Sequence, residues 1–133
     1  MNIDRELEPL TVYQYKVSAA MDSFVRHVLA VIPDSYAEEF PSFSVFEAHS
    51  PWGAHVEEGG EGEGTIYCDS SLLRLSSDVV IGTLAHEFAH LFLRHHGVGG
   101  LREDWEADAL ASKWGFTEQI KAMRQHIGPP TDS

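Results

Sequence analysis

Thr83–Gly97, TLAHEFAHLFLRHHG, is the stretch on which the reading of this chain turns. Ser76, Ser77 and Asp78 supply helix-start chemistry just before it, and Gly97 supplies a stop, so VVIGTLAHEFAHLFLRHHG reads as one long helix. Val79, Val80, Ile81, Leu84, Ala85, Phe88, Ala89, Leu91, Phe92 and Leu93 make that helix apolar on nearly every side, which predicts a path through the core. Yet His86, Glu87 and His90 stand in its middle. Residues four apart share a helix face, so the two imidazoles point to one place with the glutamate beside them. Ionisable groups at such a position cost several kcal/mol unless they are paired or bound to a metal.

The partners are sought on either side. After GVGG, the sequence REDWEADALASKWGF predicts a second helix on which Asp104, Ala107, Asp108 and Ala111 share a face; the small residues permit close approach to another helix. TEQIKAMRQHI predicts a weaker third helix before the tail GPPTDS. Upstream, Val17, Ala20, Met21, Phe24, Val25, Val28 and Leu29 repeat at helical spacing, predicting a helix from about Val12 to Ile32 that Pro33 stops. SFSVFEA, WGAHVEE and the start of TIYCDSSLL predict short strands, and EEGGEGEGT an exposed turn.

At 133 residues the chain is most simply one domain, 1–133, with room for a core that needs neither disulfide nor metal as its only support. Its 21 acidic against 9 basic residues give a net charge of −12, which disfavours nucleic acid and anionic membrane as partners and favours cations. Cys68 is the only cysteine, so neither an internal disulfide nor a cysteine-rich zinc module is available. MNIDRELEPL lacks the basic and apolar regions of a leader, and no stretch reaches the roughly 18 apolar residues of a membrane span. The expectation is a cytoplasmic protein.

Two histidines four apart on a helix can both reach one zinc ion, at zinc–nitrogen distances of about 2.0–2.1 Å. In the HExxH pattern the glutamate is the general base rather than a ligand: the ion acidifies a water, Glu87 takes its proton, and a polarised peptide carbonyl is attacked. A catalytic zinc takes three protein ligands, so the second helix must supply one more, with Asp104, Glu106 and Glu103 as candidates.

These features resemble the gluzincin metallopeptidases, in particular small soluble ones of the ImmA/IrrE type and the CAAX-protease type. The resemblance runs from about Thr65 to Phe116: HEFAH matches fully, ADALA matches the later part of a Glu-x-x-Ala-Asp/Asn-x-x-Ala helix, and IYCDSSLL resembles an edge strand that aligns substrate. It implies an α+β, zincin-like fold with an N-terminal helix, a small mixed sheet with an exposed edge, the HExxH helix and a following ligand helix. It also implies a zinc-dependent peptidase acting on a peptide or protein strand laid along Thr65 to Asp69. Registering on Ala107 and Asp108 puts Asp104 where the family has Glu, giving the ligand set His86, His90 and Asp104 with Glu87 as base and Asp108 orienting a ligand histidine. The alternative is a zinc-binding regulatory or interaction module that keeps this fold without turnover. His95 and His96 read as helix-end cations, Cys68 as a small buried hydrophobe, and Trp105 and Trp114 as packing anchors. His49, His55, His126 and Tyr67 give no oxyanion assignment.

Overall fold

The computed structural model describes residues 10–50, 53–58, 64–94 and 101–130. Strand β1 (Val12–Lys16) opens the described chain, followed by helix α1 (Ala19–Val31), a single helical turn α2 (Asp34–Ala37), strands β2 (Phe43–Glu47), β3 (Ala54–Glu58) and β4 (Gly64–Cys68), and a short 3-10 turn over Ser70–Arg74. Three helices complete it: α3 (Ser77–Phe92), α4 (Leu101–Ala111) and, after a kinked turn at Ser112–Phe116, α5 (Thr117–Ile127). This is an α+β chain with a mixed sheet. Among the described residues no helix is long and apolar enough to cross a membrane.

The first predicted helix begins later than its periodicity suggests. Val12–Lys16, VYQYK, forms a strand because its β-branched and aromatic residues suit a pleated surface. Ser18 then caps α1, its extended backbone at φ −66° and ψ 162° and its hydroxyl accepting from Met21 N at 3.3 Å. Met21, Val25, Val28 and Leu29 form the buried stripe, and the helix ends at Val31, ahead of Pro33.

The sheet order is β1-β2-β4-β3. The first three in that order run parallel and β3 is antiparallel to β4, with Val45 opposite Ile66 and Ile66 opposite Val56. Parallel strands β2 and β4 are therefore interior. This corrects the predicted edge: Thr65–Cys68 is paired on both sides, and Asp69 has already left the strand to cap the 3-10 turn, accepting from Ser71 N at 2.9 Å. Among the described residues the outer strand next to β4 is β3. Spacing within a single strand cannot reveal its neighbours, and here the sheet inserts β4 between β2 and β3 although β3 comes first in sequence.

Phe43, Val45, Ile66, Cys68 and Ala54 are buried on the sheet face that packs into the core. Helix α3 runs through that core, in contact with α1, α4, α5, β3 and β4. Its cap is the predicted Ser76, which accepts from Val79 N at 3.3 Å. It stops earlier than the predicted Gly97: Leu93 is its last cap, and Arg94 takes the left-handed φ of 58° that usually calls for glycine. Gly97, His95, His96 and the GVGG link lie outside the described residues.

Two glycines shape how the helices meet. A Cβ at Gly82 would stand 2.2 Å from the backbone oxygen of Gln119, so α3 and α5 approach more closely there than any side chain permits. Gly115, at φ 117°, bends the chain between α4 and α5 and lets α5 return against α3. Around the bend Trp114, Tyr36, Phe40 and Phe92 pack ring on ring at 5.3–6.2 Å. Trp114 is thus an anchor as predicted. Trp105 is not, being 55% exposed on the outer side of α4.

Candidate metal centre

His86 and His90 project from one face of α3 toward α4 and are both buried. Opposite them, Ala107 and Ala111 are fully buried and let α4 lie close, which brings the Asp104 carboxylate over the histidine pair. The three groups converge. His86 Nε2 and His90 Nε2 are 2.9 Å apart, His90 Nε2 is 3.1 Å from Asp104 Oδ1, and His86 Nε2 is 3.4 Å from the same oxygen.

Those separations can be tested against a metal. Ligand bonds of about 2.0–2.1 Å at tetrahedral angles place donor atoms roughly 3.3 Å apart. The observed triangle is close to that size, so one ion can be shared with little movement of the helices. The donor set, two imidazoles and one carboxylate, suits zinc and leaves a fourth position for water or substrate.

Its hydrogen bonding points the same way. Asp108, buried on α4, stands 2.7 Å from His86 Nδ1, so that nitrogen donates its hydrogen and, in the neutral ring, Nε2 is left with a lone pair. This lone pair looks at the Asp104 carboxylate, which can only accept, and at a second ring nitrogen. The centre of the triangle needs a hydrogen or a cation, as a ring proton on either Nε2 or as a metal ion.

Electrostatics quantify that requirement. Burial alone drives His86 toward its neutral form, but hydrogen bonds to Asp104 and Asp108 and the charge of Glu87 outweigh it, pushing the ring up from 6.5 to about 9. Asp104 is held below the usual carboxylate range, chiefly by its contact with His86. Asp108 is also lowered: burial opposes its charge, and His86 and Arg124 more than compensate. Glu87 moves the other way, to about 7, because desolvation disfavours its charge and Asp104 adds repulsion against the attraction of His86. Its carboxylate has no hydrogen-bond partner among the described residues.

The other candidate ligands are not in this group. Glu106 is exposed and stands 3.9 Å from Arg102, and neither it nor Glu103 joins the convergent set. His49 is exposed and faces Asp69 at 3.3 Å, and His126 is exposed on α5. His55 bonds Ser50 Oγ through Nδ1 at 2.8 Å and stacks on Tyr67, with ring centroids 5.1 Å apart. Cys68 is buried, which pushes its thiol up to about 12 and leaves it no nucleophile.

One residue of the site went unread in the sequence. Arg124 on α5 grips Asp108 through Nε to Oδ2 at 2.7 Å and Nη2 to Oδ1 at 3.0 Å. The available signal was its place directly after the buried Met123 on an amphipathic helix, which carries no chemistry by itself. No protein-family model matches this sequence, and neither curated proteins nor solved structures yield a match to it.

Proposed function

We propose that the protein is a zinc-dependent peptidase of zincin-like architecture, with His86, His90 and Asp104 as ligands and Glu87 as general base. The observation that carries this reading is the triangle of donor atoms, 2.9–3.4 Å on a side, next to a partly buried glutamate with no hydrogen-bond partner among the described residues. A zinc ion held there supplies Lewis-acid polarisation of a carbonyl and acidifies water to a pKa of about 7.

The chain's own groups do the rest. Asp108 keeps His86 in the form that offers Nε2. Glu87, poised near neutrality, takes a proton from the attacking water and returns it to the leaving amine, a role worth about 10²–10⁴ in rate. Strand β3 is paired to β4 and to no other strand among the described residues, and it packs on α3. An extended peptide therefore adds along its outer edge through main-chain hydrogen bonds.

The test separates metal from turnover. Glu87→Gln should keep zinc within about two-fold, measured by metal analysis and chelator competition, while cleavage of a peptide library falls by about 10² or more. Unchanged cleavage in that variant would remove Glu87 from the mechanism. A wild type that holds zinc and cleaves nothing would turn the reading to a metal-binding interaction module on the same scaffold.

A further inference from the structure

We propose that Arg124 is a positioning residue for the metal centre: acting through Asp108, it fixes the orientation of His86 and the nitrogen that this ring presents. The inference rests on the metal-binding reading above and concerns a residue that touches none of the three ligands.

Three helices meet in one line of contacts. His86 comes from α3, Asp108 from α4 and Arg124 from α5, with Asp108 Oδ1 shared between His86 Nδ1 at 2.7 Å and Arg124 Nη2 at 3.0 Å. Arg124 Nε holds the other oxygen, Oδ2, at 2.7 Å. A carboxylate touched only by a histidine could turn about its own Cβ–Cγ bond. Held at both oxygens by a planar fork, it cannot turn without breaking two charge-assisted bonds.

A guanidinium is a donor only, so the carboxylate it grips presents acceptor lone pairs to its remaining neighbour. The ring nitrogen that faces Oδ1 must then be the one carrying hydrogen. Nδ1 is assigned as donor and Nε2 as ligand by a contact made one helix further away. The guanidinium is itself tethered, Nη1 standing 3.4 Å from the carbonyl oxygen of Gly128 just past the end of α5. The helix that carries it is also held, because α5 crosses α3 tightly at Gly82 and Gln119.

A purely structural clip between α4 and α5 would produce the same contacts, so the experiment must read the ring and not only the fold. Zinc affinity is measured by chelator competition for wild type, Arg124→Met, Asp108→Asn and the double variant, and exchange of the His86 Nδ1–H is followed by proton NMR in each zinc-loaded protein. Losing a group that orients a ligand typically costs 10–100-fold in metal affinity. Arg124→Met is expected to lose about ten-fold and to speed Nδ1–H exchange by a similar factor. In the Asp108→Asn background the same change is expected to cost less than about two-fold, because its route to the metal has been removed.

Arg124→Lys guards against a variant that does not fold. It keeps the charge and a tie between the helices but replaces the fork with a single point, so several-fold weaker zinc binding with near-normal melting is expected. Additive losses in the cycle, or a Lys variant with wild-type affinity and wild-type exchange, would overturn the inference and leave the metal centre standing. A wild type that takes up no zinc would overturn the centre itself, and the role of Arg124 with it.

Discussion

Two polar clusters in this molecule are built from the same kinds of group and behave differently. Between β1 and α1, Asp22 accepts the hydroxyl of Tyr15 and the Nε of Arg26, the latter at 3.0 Å from both carboxylate oxygens. The Tyr15 hydroxyl and Arg26 Nε both meet an acceptor there, and burial together with Asp22 raises the Tyr15 phenol far above its ordinary range. Between α3 and α4 the groups converge on one point: with His86 Nδ1 donating to Asp108, two Nε2 atoms and the Asp104 carboxylate face one another, and a ring proton or a metal ion can sit between them. A matched cluster explains itself as structure. A cluster that brings two imidazole nitrogens and a carboxylate oxygen to one point could hold a metal ion.

The largest effect that would break this contrast is on zinc. Asp104→Ala should weaken zinc binding by roughly a hundred-fold or more, since a full zinc site is worth about 10–16 kcal/mol spread over its ligands. Asp22→Ala should leave affinity unchanged and instead cost about 2 kcal/mol of stability, by orphaning Tyr15 and Arg26. Chelator competition and urea melts on both variants decide the matter; equal loss of zinc from both would erase the distinction.

Acidity sharpens the contrast next. The folded pKa of His86 is raised from 6.5 to about 9, so its stabilisation of the metal-free protein is complete below pH 6.5 and is lost as pH rises through about 9. Glu87 acts in the same direction between 4.5 and about 7, its neutral form being the one the fold prefers. Metal-free stability should therefore fall with rising pH, by up to about 1.4 kcal/mol per pH unit for each group. Zinc affinity should rise across the same window, because the ion must displace the ring proton. Urea melts with chelator present, beside zinc titrations at pH 6 and 9, give both slopes; a metal-free stability that climbs toward pH 9 would contradict the assignment.

Smaller effects follow. Tyr15→Phe should cost about 1 kcal/mol and leave zinc untouched, as expected for one hydrogen bond in a closed cluster. Glu106→Ala should change neither stability by more than about 0.5 kcal/mol nor zinc binding measurably, since the side chain is exposed and outside the donor triangle. A drop in zinc content for Glu106→Ala would reopen the choice of third carboxylate.

Much of this was legible because helical spacing is local. Ser76 as a cap, the burial of Phe88 and Ala89 around two histidines, and the shared face of Asp104, Ala107, Asp108 and Ala111 all follow from a period of 3.6 residues. The misreadings lie where the deciding contact is distant. Tyr13 and Tyr15 suit a strand, but apolar residues further on in α1 carry a helical pattern that seemed to extend back to them. The interior place of β4 depends on pairing with β2, which no spacing within β4 encodes. Trp105 looked like core because it is large, whereas the small neighbours Ala107 and Ala111 face α3 and turn it outward. Arg124 joins the site from 16 residues beyond Asp108, across a bend that only the fold reveals.

That bend at Gly115 ties the site to the order in which the chain assembles. The HEFAH helix and its carboxylates can come together as a helical hairpin, whereas the arginine brace arrives only after the chain has turned at φ 117° and α5 has docked. A chain with α5 undocked would then hold the donor atoms without the fork proposed to align them. On the proposed reading, metal capture would report that the last described helix is home, and a poorly docked α5 would be felt as a leaky site before the protein as a whole came apart.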